Sequence, residues 1–292
     1  MITIDHPATV PATATATAGE MTMPPARAPF VAAPARAPGV AGTAATYAGR
    51  TIKQFLRTPQ LLVVSSLTSI MFLLIFRYVF GGAIDTGEVA YVDFLIPALA
   101  GVSGLFSGGA VGVAEDVDSG LFDRLRSLPI PRPAVLLGRA IADTALITWG
   151  TAISVAVGFA VGFRIHGGLI GALGALGLCV LFAAAFAWMQ IFLGLISGTA
   201  EAAQGISFSV FPLIFVSSAY VPVESMPGWM QPVAEHQPVT AMVGAVRALV
   251  LGGDSEAMLG HSTSWFVVRS VAWAIGIAVL FATLAARRFS KL

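Results

Sequence analysis

The sequence predicts an all-α membrane protein with six transmembrane helices, and two observations support this fold class. Hydrophobic residues make up 57% of the 292 residues and charged residues only 11%, with a mean hydropathy of +0.85. A soluble domain carries about 25% charged residues, so this chain has too few charges to cover a water-facing surface. Six apolar stretches are also long enough to cross a bilayer core, which takes about 20 helical residues. They are Leu61–Phe80, Val89–Ala114, Val135–Phe163, Leu169–Gly198, Gly205–Val221 and Trp265–Ala286.

The first part of the chain differs in composition from the rest. Residues 1–42 are rich in Ala, Pro and Thr and have little apolar surface to bury, which predicts a disordered tail. Residues 43–292 form the predicted membrane domain. It begins with Tyr47–Arg57, where apolar and basic residues alternate at helical spacing. This pattern predicts a short amphipathic helix that lies along the membrane surface.

The positions of the basic residues predict the orientation of the helices. If the N-terminus is cytoplasmic, 12 of the 16 lysines and arginines fall on the cytoplasmic side, which is all of them except Arg77, Arg164, Arg247 and Arg269. Cytoplasmic loops carry an excess of positive charge, and the opposite orientation would invert this ratio. We therefore expect both termini in the cytoplasm.

Small residues recur in the second predicted span, where Gly104, Gly108 and Gly112 are four residues apart. Small residues at this spacing let helix backbones approach closely in lipid. We therefore expect this helix to be buried in protein. Close packing inside one bundle, the lining of a substrate path and a seam between two chains all fit the pattern.

Motifs for enzyme chemistry are missing from the sequence. Neither Lys53 nor Lys291 has the Gly-Lys-Ser/Thr setting of a P-loop, and no serine lies in a Gly-x-Ser-x-Gly elbow. The single cysteine, Cys179, excludes an internal disulfide, and the four histidines lack metal-ligand spacing. A net charge of +1 gives no support for nucleic-acid binding. We therefore expect no catalytic residue, no metal and no cofactor in this chain.

Acidic residues inside the spans would indicate an ion-coupled carrier. The candidate is Asp143, which lies one turn after Arg139 near the cytoplasmic end of the third span. At this spacing we expect the two side chains to pair or to reach the interface. The sequence therefore lacks the buried acid relay of an ion-driven transporter.

The loop after the second span predicts a short amphipathic helix on the cytoplasmic side. Asp118 or Ser119 can cap its start, and prolines from Pro129 onward prevent its continuation. One face of the helix is apolar. It consists of Leu121, Phe122, Leu125 and Leu128. Such a helix either rests on the membrane surface or docks its apolar face into a groove of a soluble partner.

The segment after the fifth span is too broken by proline for a span and too apolar for an ordinary loop. Helical spacing resumes at Thr240 and continues to Leu251. Irregular backbone at membrane depth must pack on protein or line a cavity. We therefore predict a pair of short, half-inserted helices at the outer face, which either form a lid or anchor the bundle through Trp229.

Two runs in these loops resemble a known family. They are GLFDRLRSLPIPRPAVLLGR (Gly120–Arg139) and FVSSAYVPVESMPGWMQPVAEHQPVTAMVGAVRALVLGG (Phe215–Gly253). Both resemble the membrane subunits of ABC type-2 transporters, and most of all the daunorubicin/doxorubicin-resistance permeases of actinobacteria. The resemblance covers about residues 45–292. Its most specific part is the order of the Pro-x-Glu, Met-Pro-x-Trp, Gln-Pro-Val-Thr and Arg-Ala-Leu elements in the second run.

This resemblance implies a function that composition alone does not. Members of the family work as two permease chains with two soluble ATPase subunits, which bind ATP and Mg. The complex exports a hydrophobic or amphiphilic compound, such as a drug or a lipid, across the plasma membrane. The second permease chain is either an identical copy or a paralogue.

The resemblance also implies roles for particular residues. The amphipathic helix Tyr47–Arg57 becomes a connecting helix, and Ser119–Leu128 becomes the coupling helix that docks into the ATPase. The predicted coupling residues are Glu115, Asp116, Asp118, Leu121, Phe122, Leu125 and Arg126. The predicted translocation path, lined by the second and fifth spans, includes Phe94, Phe106, Phe208, Phe211 and Phe215, although lipid-facing packing is the ordinary alternative for each of them. The predicted extracellular re-entrant residues are Pro227, Trp229, Pro238 and Arg247.

Three alternatives to an ATP-driven exporter stay open at the level of sequence. An ion-coupled secondary transporter would show buried acids and two similar halves. A membrane scaffold would show no dependence on an ATPase, and an intramembrane enzyme would need paired His, Glu or Asp residues inside the spans. Dependence on an ATPase separates the exporter from all of these.

Overall fold

The computed structural model describes residues 39–58, 67, 70–81, 90–126, 131–254 and 259–291. Every regular element within these ranges is helical. Most of the predicted tail, residues 1–38, lies outside the described residues. The last three residues of that predicted tail are helical, because the first helix begins at Val40.

The predicted amphipathic helix is α1 (Val40–Leu56), which extends further toward the N-terminus than expected. It buries Ala44, Tyr47 and Ala48, which lie three and four residues apart and so share one helical face. The described part of the first predicted span contains α2 (Ile70–Val79). Its end, Phe76–Phe80, winds as a π-helix.

Among the described residues, three helices are long and apolar enough to cross a membrane. They are α6 (Arg132–Ala160), α7 (Gly168–Ser197) and α12 (Thr263–Phe289). They correspond to the third, fourth and sixth predicted spans. The longest has 30 residues, which is about 45 Å of helix at 1.5 Å per residue and exceeds the roughly 30 Å of a bilayer core.

The second predicted span is broken into two helices. Its first part is α3 (Tyr91–Val102), which ends in a 3₁₀ turn at Ser103–Phe106, and its second part is α4 (Gly109–Asp118). The break lies at Gly108, whose φ of 67° is in the left-handed region that favours glycine. The expectation of one continuous helix over 89–114 is therefore corrected.

The three glycines have different surroundings. A Cβ added at Gly104 would lie 2.8 Å from the Phe186 ring, and one added at Gly112 would lie 2.6 Å from Nη2 of Arg139, so neighbouring side chains pack directly on both glycines. Gly108 has no atom within 4 Å of an added Cβ. Its role is conformational, because it permits the break in the span.

The cytoplasmic and fifth-span elements are short. The predicted coupling helix is α5 (Leu121–Arg126), and the predicted fifth span consists of α8 (Ala200–Phe208) and α9 (Phe211–Phe215). The Thr199 hydroxyl caps α8 by accepting from the Ala202 amide. Because 16 residues span only about 24 Å, the described fifth segment is short for a bilayer.

The segment after the fifth predicted span contains two helices, α10 (Gln231–His236) and α11 (Pro238–Leu251). Their position at the outer face stays a prediction. Pro238 occupies the first turn of α11, where a missing amide proton does no harm. Most of α11 is buried against α3, α7 and α12. The helix closes the bundle between these three neighbours.

The centre of the fold is α7, which packs against α4, α6, α8, α11 and α12. Two glycines of α7 allow this. Gly171 lies so close to the Leu249 carbonyl of α11 that a side chain would collide with backbone, and Gly194 does the same against Ala110 of α4. The close approach of small residues replaces the hydrophobic effect, which is weak between helices in lipid.

Candidate functional site

Four side chains from three helices meet at the end of the bundle predicted to be cytoplasmic. At the centre is Arg139 of α6, which is 7% exposed and whose Nε donates to both carboxylate oxygens of Asp143 at 3.0 Å. Its Nη1 donates to Oδ2 of Asp116 at 2.8 Å, and its Nη2 donates to the Gly109 carbonyl at 3.2 Å. Asp116 and Gly109 belong to α4, so Arg139 ties α4 to α6. The predicted pairing of Arg139 with Asp143 is confirmed.

Tyr47 of α1 joins this cluster through its hydroxyl, which donates to Oδ2 of Asp116 at 3.2 Å. Burial of the ring, and then the negative charge of Asp116, raise the pKa of the Tyr47 hydroxyl. The hydroxyl therefore stays protonated and remains a donor at physiological pH. We call Tyr47, Asp116, Arg139 and Asp143 the polar junction, because together they join α1, α4 and α6.

Two glycines make the polar junction sterically possible. A Cβ at Gly112 would lie 2.6 Å from Nη2 of Arg139, so any larger residue would displace the guanidinium. A Cβ at Gly138 would lie 2.6 Å from the carbonyl oxygen of Ala44, which belongs to the backbone of α1. Helices α1 and α6 thus meet at van der Waals distance, and the Arg139 side chain reaches α4 beside Gly112.

The apolar face of α5 packs into the bundle. Phe122 is buried and meets Phe289 of α12 edge-on, with 5.2 Å between ring centroids. Leu121 and Leu125 are half-buried against the same cluster. In the single chain, Phe122 is therefore covered by α12, whereas Leu121 and Leu125 keep part of their surface exposed. Docking of this face into a partner's groove stays a prediction.

The exposed side of the same region is polar. Glu115, Asp118 and Ser119 are exposed at the end of α4, and Arg124 is exposed on α5. Asp116, also predicted for coupling, points into the polar junction. The backbone of Arg126 ends α5, and its side chain lies outside the described residues. A partner approaching α5 would meet charges, with the polar junction directly behind them.

The structure separates the five predicted path residues. Phe208, Phe211 and Phe215 stack in sequence along α8 and α9, with 5.0 Å between successive ring centroids. Phe208 is 62% exposed and Phe215 is 50% exposed. Phe94 is buried elsewhere, beneath Arg247, and the side chain of Phe106 lies outside the described residues.

The aromatic stack continues beyond the predicted residues. Phe215 contacts Tyr220 at 5.6 Å, and Tyr220 stacks on Phe76 of α2 at 4.3 Å with an interplanar angle of 9°. We call Phe208, Phe211, Phe215, Tyr220 and Phe76 the aromatic ladder. The sequence analysis missed Tyr220 and Phe76, because no spacing rule relates residues from two different spans.

The predicted re-entrant residues occupy different settings. Trp229 is 75% exposed, Pro227 is exposed in the turn before it, and Pro238 begins α11. Arg247 is 1% exposed, which makes it the largest fully buried side chain in the part of the chain that the structure describes. Its guanidinium lies over the Phe94 ring and donates to three backbone carbonyls, so it joins α11 to α3 and to the turn after α9.

Metal chemistry finds no support in the described ranges, where no group of three or more His, Cys, Asp or Glu residues could hold an ion. Glu235 pairs with His261 at 3.4 Å. Its neighbour His236 contacts the Pro232 carbonyl through Nδ1 at 3.0 Å. Both histidine contacts are at the surface.

Comparison with known proteins shows the family to which the chain is similar. Residues 45–251 match the model of a family described as ABC-2 type transporter. The chain is 31% identical over 247 residues to the daunorubicin resistance ABC transporter permease protein DrrB1 of Streptomyces coeruleorubidus, covering 84% of both chains. It is 28% identical over 215 residues to the probable doxorubicin resistance ABC transporter permease protein DrrC of Mycobacterium tuberculosis, covering 72% of this chain and 77% of the relative.

The chain belongs to the ABC-2 type transporter family. This confirms the family that the two sequence runs resemble. An ABC-2 permease is a multi-pass membrane subunit of an ABC exporter, and the ATPase is a separate chain. The family therefore decides against the ion-coupled carrier, the scaffold and the intramembrane enzyme. It also agrees with the sequence observation that no P-loop is present.

Proposed function

We propose that this permease works as one of two membrane chains, with two soluble ATPase subunits, in an exporter of a hydrophobic or amphiphilic compound. The ATPase subunits bind ATP and Mg, and the second permease is an identical copy or a paralogue. The complex resides in the plasma membrane with both termini of this chain in the cytoplasm. The names of the two relatives, which refer to daunorubicin and doxorubicin resistance, favour a drug-like cargo over a lipid.

The observation that carries this proposal is the polar junction behind the charged surface of the α4–α5 region. Glu115 and Asp118 are exposed, whereas Asp116 between them is bonded to Arg139 and Tyr47. A force on α5 therefore reaches α6 and α1 through charge-assisted hydrogen bonds, which hold their geometry better than neutral ones. This arrangement supports a role as the element that converts movement of the ATPase into movement of the spans.

The aromatic ladder supports an apolar path along the fifth span. Two of its rings are strongly exposed in the single chain, Phe208 at 62% and Phe215 at 50%. Aromatic rings offer flat apolar area with defined stacking geometry, which suits a cargo with its own rings. We infer that the ladder faces the second permease chain across the path, so that the two chains together enclose the cargo.

Recovery of the tagged chain from its native membrane in mild detergent tests the assembly. We expect a soluble ATPase with a P-loop to be retained, with or without a second permease chain. Recovery of the chain alone, under conditions that preserve a known ABC complex, would overturn the proposal.

Charge reversal tests the coupling surface. The double substitution Glu115→Lys and Asp118→Lys should abolish retention of the ATPase, or cargo-stimulated ATP turnover, while the chain elutes and unfolds as before. The matched control is Glu224→Lys with Glu235→Lys at the predicted outer face. If the coupling pair and the control pair behave alike, the docking surface lies elsewhere. Substitutions of Leu121 and Leu125 are unsuitable for this purpose, because both pack into the bundle.

A further inference from the structure

The surface of α1 that faces away from the bundle carries a basic stripe. Arg50, Lys53 and Arg57 are all exposed. They follow one another at intervals of three and four residues, so they project from one side of the helix and its end. With Thr46 and Gln54 they line a shallow groove of about 680 Å³. Among the described residues, no carboxylate lines this groove.

The opposite face of α1 fixes the direction of the stripe. Ala44, Tyr47 and Ala48 are buried, and α1 packs against α6. The backbone contact between Ala44 and Gly138 leaves no room for α1 to roll, because even a methyl group at Gly138 would touch the Ala44 carbonyl. Tyr47 is held further by its hydrogen bond to Asp116. The basic stripe therefore lies on the exposed side of α1 at a defined orientation, with the Arg50 guanidinium 5.9 Å from the centroid of the Tyr47 ring.

The sequence that follows α1 sets the depth of the stripe. Arg57 precedes Leu61, the start of the first predicted span, by four residues. Four extended residues cover at most about 14 Å. Arg57 therefore lies at or near the polar headgroup layer, and Arg50 is only about 10 Å further along the helix. Leu56, which is 58% exposed, adds an apolar side chain beside the cations.

We propose that this groove binds the phosphate headgroup of an anionic phospholipid of the cytoplasmic leaflet. Charge complementarity supports this occupant, since three cations without an acidic neighbour in the groove face a layer that carries phosphates. The exposed Leu56 side chain can contact a lipid acyl chain, whereas a charged protein surface would offer it no apolar contact. A lipid bound here would make the position of α1 depend on the lipid composition of the leaflet. Because Tyr47 of α1 belongs to the polar junction, the junction would depend on the lipid as well. This regulation goes beyond the transport function.

The test is lipid retention by the purified full-length chain, measured by native mass spectrometry. The probes are phosphatidylglycerol and phosphatidylcholine in equal amounts, with inorganic phosphate as a competitor in a separate arm. We expect retention of phosphatidylglycerol, a loss of about tenfold or more in the triple variant Arg50→Gln, Lys53→Gln and Arg57→Gln, and no displacement by phosphate. Each basic residue contributes roughly fivefold at an anionic surface, so the three together give about 100-fold, and about tenfold is the smallest loss that supports the proposal.

A second triple variant serves as the matched control. Arg287→Gln, Arg288→Gln and Lys291→Gln remove the same charge from the end of α12. Equal loss in both triple variants would mean general attraction and would overturn the proposal, as would displacement of the lipid by inorganic phosphate. The triple variant of the basic stripe is also recovered from its native membrane to measure retention of the ATPase. If lipid retention is unchanged but the ATPase is lost, the stripe is a protein-docking surface and the lipid proposal is overturned. Circular dichroism and gel filtration establish that both variants fold.

Discussion

The guanidinium carbon of Arg247 lies 3.4 Å from the centroid of the Phe94 ring. The same side chain donates from Nε to the Phe94 carbonyl at 2.9 Å, from Nη1 to the Ser218 carbonyl at 2.7 Å and from Nη2 to the Ala219 carbonyl at 2.9 Å. In the part of the chain that the structure describes, no carboxylate pairs with it. The aromatic face and three carbonyl dipoles therefore replace water around a buried cation.

This geometry predicts that lysine cannot replace Arg247. A lysine keeps the charge but cannot hold the planar fork over the ring and reach all three carbonyls. We expect Arg247→Lys to lower the free energy of unfolding by about 3 kcal/mol, the scale for breaking a buried charged network. Thermal unfolding of the purified chain in detergent measures this. Arg164→Lys is the matched control, because Arg164 donates to two carbonyls at an exposed position and should change little. Equal effects of the two substitutions would contradict the assigned role of Arg247.

The polar junction predicts an order among its substitutions. Arg139→Gln leaves two carboxylates facing each other without a cation, whereas Asp143→Asn leaves Arg139 bonded to Asp116. We expect Arg139→Gln to cost about 3–5 kcal/mol, with Asp143→Asn less costly. Asp116→Asn should cost least, because the Asp116 side chain is 21% exposed and Asp143 is 4% exposed.

Combining the substitutions tests whether the charges act together. The triple variant Arg139→Gln, Asp116→Asn and Asp143→Asn should be more stable than Arg139→Gln alone, because it leaves no buried charge unpaired. Unfolding by sodium dodecyl sulfate in mixed micelles gives the comparison. Additive losses in the triple variant would show that the three residues contribute independently, against the junction described here.

Two glycines of α6 give a matched pair for the contact with α1. A Cβ at Gly138 would lie 2.6 Å from a backbone oxygen of Ala44, whereas one at Gly150 would meet no atom within 4 Å. Gly138→Ala should separate α1 from α6 and destabilise the fold by about 1–3 kcal/mol, as overpacking does. Gly150→Ala should stabilise the helix by up to about 1 kcal/mol, because alanine has the higher helix propensity. Thermal unfolding of both variants measures these changes in stability. If both substitutions destabilise the fold, the packing of helices around α6 differs from the one described.

The sequence predicts well those elements whose cause is local. Long apolar runs gave α6, α7 and α12 nearly to their ends, and the four-residue spacing of Arg139 and Asp143 gave their pairing. The bond from Arg139 to Asp116 crosses 23 residues, and the one from Tyr47 to Asp116 crosses 69. Neither contact leaves a periodic signal in the chain, because each depends on how three helices pack.

The burial of Phe122 against α12 shows a different limit of prediction from the sequence. Amphipathic spacing identified the apolar face of α5 correctly, but spacing cannot tell whether a bundle or a partner covers that face. The break at Gly108 was hidden for a similar reason. Glycines at four-residue intervals predict close packing, and only the backbone angle distinguishes a packed glycine from one in the left-handed region.

The raised pKa of the Tyr47 hydroxyl predicts that the folded chain loses stability at alkaline pH. Its pKa is raised in the folded chain by burial and by Asp116, whereas an unfolded tyrosine ionises near 10. The stabilisation from Tyr47 is therefore complete below about pH 10 and declines as the pH rises above it, because the unfolded chain then releases a proton that the folded chain retains. Tyr47→Phe lacks this proton, so the difference between the wild-type chain and the variant should shrink between about pH 9 and pH 11.

Unfolding midpoints of the two chains across this range measure the effect. Tyr78→Phe is the control for the loss of a tyrosine hydroxyl at an exposed position, because Tyr78 is 72% exposed. At neutral pH, Tyr47→Phe should cost about 1 kcal/mol for the lost hydrogen bond. A difference that stays constant up to about pH 11 would mean that the Tyr47 hydroxyl is not held by Asp116 in solution, and the link between α1 and the polar junction would then rest on the Ala44 contact alone.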